Sequence, residues 1–286
     1  MNLLDKIGYM PKWHGQIQNN RELTKYSINE PLINYIFNVL GISNGFCVEF
    51  GAWDGIKNSN TKRLIDSGWS SIQIEPDWFR FQDLKLTYQF NDQVRCINSF
   101  IDTTDNLFDN IIGTEKDIDF CSIDIDGLDI DIFDTFEDNL PKLVCIEGGQ
   151  ALYPFNDRIH TVIAQDNIHQ SLSYYINVFK KKGYELLCSY QDCFFIQSQY
   201  FDRFNVNHSV MDHYLNGILA LPRIPFINNQ LQKYQITNSI IDTLIDRCSY
   251  IHPDAPLLDK ANWCDHNSVT IQNTVEEIRY SYATSS

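Results

Sequence analysis

The feature that most constrains this chain is an alternation of short apolar runs and helix-like segments between residues 46 and 183. The apolar runs are FCVEFGA (46–52), SSIQIEP (70–76), VRCINSFI (94–101), IDFCSIDID (118–126) and KLVCIEGG (142–149). The helix-like segments cover 58–68, 77–90, 105–113, 129–140 and 168–183. Strands that alternate with helices form βαβ units, so we expect a mostly parallel sheet with helices on its faces.

Two further strands are predicted over YELLCSYQ (184–191) and CFFIQSQYF (193–201), with one residue between them. A parallel crossover needs a dozen or more residues, so this pair must form an antiparallel hairpin. A doubly wound, mostly parallel sheet that ends in such a hairpin favours the class I methyltransferase architecture over a dehydrogenase. We therefore predict an α/β fold with a seven-stranded, Rossmann-like sheet.

The same pattern divides the chain into three parts. Residues 1–40 are a polar lead-in that ends with a helix-like run over 31–40. Residues 41–204 contain the alternation and form the predicted sheet domain. In residues 205–286 the alternation stops and prolines punctuate helix-like segments, so we expect a helical carboxyl-terminal appendage.

Charge and composition exclude several classes of partner. The 286 residues contain 22 Lys and Arg against 37 Asp and Glu, a net charge of −15. Such an acidic surface argues against binding nucleic acid by phosphate neutralisation and against an anionic membrane surface. No apolar run reaches 18 residues, so no membrane span is expected. The charged first residues do not resemble a signal peptide, and the eight cysteines form no CxxC pair, which favours a cytoplasmic location.

The ends of the first two predicted strands could bind a nucleoside. The first strand runs into a turn in which Gly51 and Gly55 allow a close backbone approach to a ligand. Glu75 ends the second strand, where an acid can accept hydrogen bonds from both ribose hydroxyls, and Pro76 favours an extended backbone before it. The turn is not GxGxxG because Trp53 interrupts it. An ordinary strand-to-helix turn and a solvated glutamate remain the alternatives.

Three more acids lie at the ends of the fourth and fifth predicted strands. Strand alternation places Asp124 and Asp126 on one face, and Glu147 ends the neighbouring strand. Together they could hold a divalent cation such as Mg²⁺ or Mn²⁺ through oxygen ligands, or bind ligands by hydrogen bonds alone. For Asp126, capping of the next helix is the alternative.

Two histidines, His160 and His169, follow the fifth predicted strand and could lie near the same edge of the sheet. Either could act as a base. An exposed histidine in a loop or helix is the alternative for each.

Two stretches resemble motifs of a known family. FCVEFGAWDGIKNSNTKRLIDSGWSSIQIEPD and DFCSIDIDGLD are similar to the motifs of class I S-adenosylmethionine-dependent methyltransferases, in particular the FkbM-like group. The resemblance covers about residues 40–200 and implies O-methylation, often of sugars, glycolipids or natural products. The chain departs from the group's pattern at Trp53 in the glycine turn. It also departs at Asp126, which stands where the pattern has its first acid, because Gly127 follows directly and the glutamate of the pattern is missing.

The resemblance also implies roles for individual residues on the donor side. The methionine and ribose portions would be lined by Glu49, Gly51, Ala52 and Asp54. Glu75 would take the ribose hydroxyls, and the adenine would be bordered by Pro76, Asp77, Asn98 and Ser99. Asp124 would face the methionine amino group or the transfer site.

From these observations we expect an S-adenosylmethionine-dependent O-methyltransferase that acts on a hydroxyl of a sugar, glycan or related small molecule. Asp126 is the first candidate for the catalytic base and His160 the second. Two other functions stay open: an NAD- or nucleotide-sugar-dependent oxidoreductase on a similar sheet, and a non-catalytic binding subunit. The sequence does not indicate an oligomeric state.

Overall fold

The computed structural model describes Leu3, residues 25–101, 111–112, 117–125, 127–148, 160–162, 167–189, 192–206 and 209–210, and His213. A seven-stranded sheet organises this part of the chain. Its strands are β1 (Phe46–Phe50), β2 (Ser70–Ile74), β3 (Val94–Ile97), β4 (Phe120–Ile123), β5 (Leu143–Glu147), β8 (Tyr184–Ser189) and β9 (Asp192–Gln197). A separate pair consists of β6 (His160–Val162) and β7 (Asn167–His169).

Helices connect these strands. They are α1 (Glu30–Leu40), α2 (Lys62–Asp66), α3 (Trp78–Tyr88), α4 (Asp129–Asp134), α5 (Leu172–Lys181) and α6 (Ser198–Phe201), followed by a 3₁₀ turn (Asp202–Phe204). Local signals explain where several of them begin. Pro31 lies in the first turn of α1. The side chain of Asp77 accepts hydrogen bonds from the Phe79 and Arg80 amides at the start of α3, and Ser171 caps α5 in the same way.

The sheet order is β3-β2-β1-β4-β5-β9-β8. The first five strands pair in parallel, and β9 pairs antiparallel with both β5 and β8. The chain winds outward from β1 to β3, then returns to start β4 on the other side of β1. The strand order therefore reverses between β1 and β4, which is where doubly wound sheets bind their ligands. The predicted sheet and its terminal antiparallel hairpin are confirmed.

Some predicted boundaries are wrong. The start of the predicted helix 168–183 belongs instead to β7, which pairs antiparallel with β6, and the helix begins only after its Ser171 cap. Residues 198–201 are helical rather than extended. The predicted helix 129–140 ends at Asp134. Of the predicted helix 105–113 only residues 111–112 are described, and nearly all of the appendage lies outside the described residues.

Both faces of the sheet are covered by apolar side chains. On one face the rings of Phe133, Phe179 and Phe195 form a stack, with centroids 3.8 Å and 3.7 Å apart. On the other face Phe37 makes edge contacts with Trp69 and Phe120. Burial on both faces explains why the central strands are nearly continuous apolar runs. Within the described part of the chain, no helix has the length and apolar character needed to cross a membrane.

The aromatic stack makes a prediction for stability. Phe179 is 0% exposed, at the centre of the stack. We expect Phe179→Ala to lower the free energy of unfolding by about 3–5 kcal/mol, because it removes a buried ring and leaves a cavity. Urea denaturation measures this change. Phe90→Ala is the matched control, since Phe90 is 92% exposed, and equal losses in the two variants would contradict the packing described here.

Candidate active site

The turn after β1 packs directly against the end of β4. Gly51 and Gly55 have φ angles of +72° and +74°, which favour glycine. A Cβ atom added to Gly51 would lie 1.9 Å from the backbone oxygen of Asp124. The tight turn expected from the glycines is therefore present, and it lies at the reversal point of the sheet.

A buried carboxylate beneath this turn holds the segment that leads into α2. Glu49 is 4% exposed. It accepts hydrogen bonds from Ser59 Oγ (2.7 Å), the Asn60 amide (2.7 Å) and Thr61 Oγ1 (2.6 Å). Burial raises the pKa of Glu49, and these hydrogen bonds oppose the rise. The observed role of Glu49 is to anchor the loop; its predicted contact with a donor stays a prediction.

Glu75 connects the turn after β1 with the segment after β2. Its Oε2 accepts a hydrogen bond from the Trp53 amide and its Oε1 one from the Asp77 amide, both at 2.9 Å. Asn98 Nδ2 donates to the backbone oxygens of Glu75 (2.8 Å) and Pro76 (3.0 Å). The structure thus brings together residues that were predicted as one site from the ends of three strands. Glu75 is 2% exposed, and each carboxylate oxygen has a second lone pair.

Trp53 is a non-glycine residue in the left-handed region, with a φ of +48°. Two interactions explain how the turn accommodates it. Its amide donates to Glu75, and its indole ring lies 4.0 Å from Lys57 Nζ and 4.3 Å from the guanidinium of Arg80. The sequence marked Trp53 only as a departure from a family pattern, because its contact with Arg80 joins two separate segments and leaves no local signal.

Large apolar side chains are exposed in the segments that follow β1, β2 and β3. They are Ile56 (44% exposed), Trp78 (59%), Phe79 (80%) and Phe100 (70%). Because the carboxyl ends of parallel strands lie at one edge of a sheet, these segments begin on the same side as Glu75. We call this set the apolar rim. Exposed aromatic side chains of this kind suit a flat, weakly polar ring.

The other predicted donor-side residues make hydrogen bonds within the protein. Asp54 Oδ1 accepts from the amides of Ile56 (2.9 Å) and Lys57 (2.8 Å), which closes the turn. The Ala52 amide donates to the backbone oxygen of Ile74 at 3.0 Å. Ser99 Oγ donates to the backbone oxygen of Phe100 at 3.3 Å.

A second group of acids lies on the other side of the reversal point. Asp124 follows β4 and is exposed. Asp129, at the start of α4, accepts hydrogen bonds from the amides of Ile125 and Gly127, both at 2.9 Å. Burial, together with the negative charge of Asp124, raises the pKa of Asp129 to about 7. Asp129 therefore organises the turn into α4.

The acid group also contains a residue from the terminal hairpin. Asp192 begins β9 and is the register partner of Glu147, the last residue of β5. Burial, with a contribution from Asp124, raises the pKa of Asp192 to about 7. The sequence did not single out Asp129 or Asp192, because neither belongs to a motif. Asp192 lies on β9 and is 45 positions after its partner Glu147, so the sequence around either residue does not indicate that they pair.

Side-chain amides connect the lead-in with these strands. Asn29 is 1% exposed. Its Nδ2 donates to Asn60 Oδ1 at 2.9 Å and to Asp192 Oδ2 at 2.5 Å. Asn60 Nδ2 in turn donates to Ser122 Oγ at 2.9 Å. The segment before α1 is therefore part of the site, which composition alone did not indicate.

Two predicted catalytic residues lie outside the described residues in whole or in part. The structure does not describe Asp126. Of His160 and His169 it describes only the backbone pairing between β6 and β7. No group of three potential metal ligands occurs among the residues that the structure describes. Because the predicted set of Asp124, Asp126 and Glu147 includes Asp126, the metal site stays a prediction.

Comparisons with known proteins return structural neighbours only. No protein-family model matches the chain, and no curated protein matches it. Among solved structures, it is similar to the amino-terminal domain of EvdMO1 with SAH bound (9% identity, 57% of this chain and 78% of that chain, TM-score 0.38). It is also similar to a TehB-like SAM-dependent methyltransferase from Corynebacterium glutamicum (10%, 57% and 85%, 0.37). A third is precorrin-6y C5,15-methyltransferase from Geobacter metallireducens (11%, 58% and 86%, 0.35).

The contact between Gly51 and β4 makes a second prediction. Gly51→Ala forces a Cβ against the Asp124 backbone oxygen, so we expect it to destabilise the protein by more than Gly68→Ala. Gly68 is the matched control because its φ is also positive (+99°) but no atom lies within 4 Å of an added Cβ. The control should lose about 1–2 kcal/mol. Thermal unfolding of both variants measures the difference, and equal losses would show that the turn does not depend on this contact.

Proposed function

We propose that this chain is an S-adenosylmethionine-dependent O-methyltransferase that acts on a hydroxyl of a sugar, glycan or related small molecule. The observation that carries the proposal is the contact of the Glu75 carboxylate with the Trp53 amide. It joins the turn after β1 to the acid after β2 at the reversal point of a sheet with a terminal antiparallel hairpin. Turn and acid are the two elements that bind the sugar end of a nucleoside in doubly wound folds.

The nucleoside end of the donor would lie between Glu75 and the apolar rim. The second lone pairs of the Glu75 oxygens are suited to accept hydrogen bonds from the ribose hydroxyls. Trp78, Phe79 and Phe100 offer apolar surface to an adenine ring, and Asn98 holds the segment between them through its bonds to Glu75 and Pro76.

The methionine end of the donor would lie toward Asp124. Because the turn at Gly51 packs against Asp124, a ligand that follows the turn meets this carboxylate next. An exposed carboxylate is suited to the donor's amino group, which is positively charged. Asp124 therefore keeps its proposed role in orienting the donor.

The reaction requires mainly that the acceptor hydroxyl be aligned with the methyl group and that one proton be removed. The donor supplies an activated methyl group, so the protein must hold the acceptor hydroxyl in line with it. A positioned base contributes roughly 10²–10⁴-fold in rate. Asp126 and His160 remain the sequence's candidates for this base. A divalent metal at Asp124, Asp126 and Glu147 is not part of the proposal.

The finer points of the proposal follow from the sequence. They are membership of the FkbM-like group, a carbohydrate-like acceptor and a cytoplasmic location. The oxidoreductase alternative is less well supported, because the non-glycine Trp53 occupies the turn where a dinucleotide-binding site has space for the pyrophosphate. A non-catalytic binding subunit would also bind the donor, so only turnover separates it from an enzyme.

Removal of the Glu75 carboxylate tests the donor site. We expect Glu75→Ala to weaken S-adenosylhomocysteine binding at least tenfold, because charge-assisted hydrogen bonds are worth about 1.5–3 kcal/mol. Isothermal titration calorimetry measures the affinity. Glu185→Ala is the control, since Glu185 lies on the edge strand β8 and should bind as the wild type does.

Circular dichroism shows whether each variant is folded. Glu75→Gln provides a second test with less change in packing. The glutamine side chain has one acceptor oxygen in place of two, so it can accept fewer hydrogen bonds than the carboxylate. Wild-type affinity in both Glu75 variants would remove this residue from the donor site.

A further inference from the structure

Asp192 lies at the edge of the sheet where the proposed reaction would occur. Because β9 runs antiparallel to β5, its first residue lies beside the last residue of β5, Glu147. Side chains alternate along a strand. Phe194 packs in the same apolar cluster as Cys145 and Phe120, so Asp192, two residues before Phe194, faces the same side of the sheet. Asp124, four residues after Phe120, also belongs to this side.

One oxygen of the Asp192 carboxylate is held in place. Asn29 Nδ2 donates to Oδ2, and Asn29 itself is buried and bonded to Asn60. Among the described residues, this is the only hydrogen bond that the Asp192 side chain receives. Asp192 is partly buried as a residue, and the Asn29 hydrogen bond to Oδ2 keeps the carboxylate oriented.

The titratable groups that face Asp192 are Asp124 after β4, Asp129 on α4, Glu147 and Cys145 on β5, and Cys188 on β8. Burial and the carboxylates of Asp124 and Asp129 raise the pKa of Asp192 to about 7, against the opposing effect of the Asn29 hydrogen bond. Efficient bases have a pKa near the working pH.

We propose that Asp192 is the carboxylate that faces the sulfonium of the donor and takes the proton of the acceptor hydroxyl. This inference rests on the proposed methyltransferase function. In the step, the sulfur–methyl bond breaks with its electron pair left on sulfur, an oxygen–methyl bond forms, and the hydroxyl proton passes to Asp192 Oδ1. A sulfonium cation and a carboxylate anion become a neutral thioether and a neutral carboxylic acid, and the proton then leaves to solvent.

The charge of the sulfonium makes the proposal testable without knowledge of the acceptor. A positive charge close to Asp192 favours its ionised form, so binding of S-adenosylmethionine should release a proton near pH 7. S-adenosylhomocysteine has no sulfonium and should release less. By linkage, the affinity for S-adenosylmethionine should rise as the pH increases through 7, and the affinity for S-adenosylhomocysteine should rise less.

Calorimetry at pH 7 in buffers of different ionisation enthalpy counts the released protons. For the wild type we expect S-adenosylmethionine to release up to roughly half a proton more than S-adenosylhomocysteine, because a group with a pKa of about 7 is half protonated there. Asp192→Asn should abolish this difference and still bind S-adenosylhomocysteine within about threefold of the wild type, since asparagine can accept the hydrogen bond from Asn29. Glu185→Gln is the control variant and should retain the difference, since Glu185 lies on the edge strand β8.

Two results would overturn the assignment. Equal proton release with both ligands in the wild type would show that no group titrating near pH 7 lies close to the sulfonium. This comparison needs no variant. A difference that persists in Asp192→Asn would assign the proton to another acid, with Asp126 the next to test. Failure of the wild type to bind either ligand would instead overturn the proposed function, and the role of Asp192 with it.

Discussion

The buried carboxylate of Glu49 is the interaction on which the rest of this site depends. It lies on the central strand β1 and takes three hydrogen bonds from Ser59, Asn60 and Thr61. A buried carboxylate without such donors would be costly, so sheet and loop fix one another. The loop positioned in this way begins at Gly51, packs on Asp124 and reaches Glu75 through the Trp53 amide. The ends of three strands are thereby held in one arrangement.

The same loop divides the edge of the sheet into two chemically different halves. Toward β2 and β3 lie the Glu75 carboxylate and the exposed aromatic side chains of the apolar rim. Toward β5 and β9 lie Asp124 and Asp192, with Asn29 joining the second of these acids to Asn60. A donor with a nucleoside at one end and positive charge at the other matches this division. The acidic half also gives a positively charged ligand an electrostatic advantage over a neutral one.

The sequence predicted the sheet well because its signals are local. Continuous apolar runs such as residues 46–50 and 143–147 identify buried strands, and the very short connection before Asp192 requires a hairpin. Glu75 was singled out as a candidate because its position after the second strand is itself a signal. Asn29 and Asp192 were not, since their contacts join segments 163 positions apart and neither residue lies in a motif. The pair β6 and β7 was missed because strands of three residues are too short for a periodic pattern.

The central claim is that the site binds S-adenosylmethionine as a methyl donor. Binding of S-adenosylhomocysteine, the product that the donor leaves, to the wild-type protein tests this claim most directly. Calorimetric titration with S-adenosylhomocysteine, and separately with NAD⁺, compares the two nucleoside ligands that a sheet of this class accepts. The account predicts saturable, one-to-one binding of S-adenosylhomocysteine and no measurable binding of NAD⁺. Binding of NAD⁺ in its place, or of neither ligand, would contradict it.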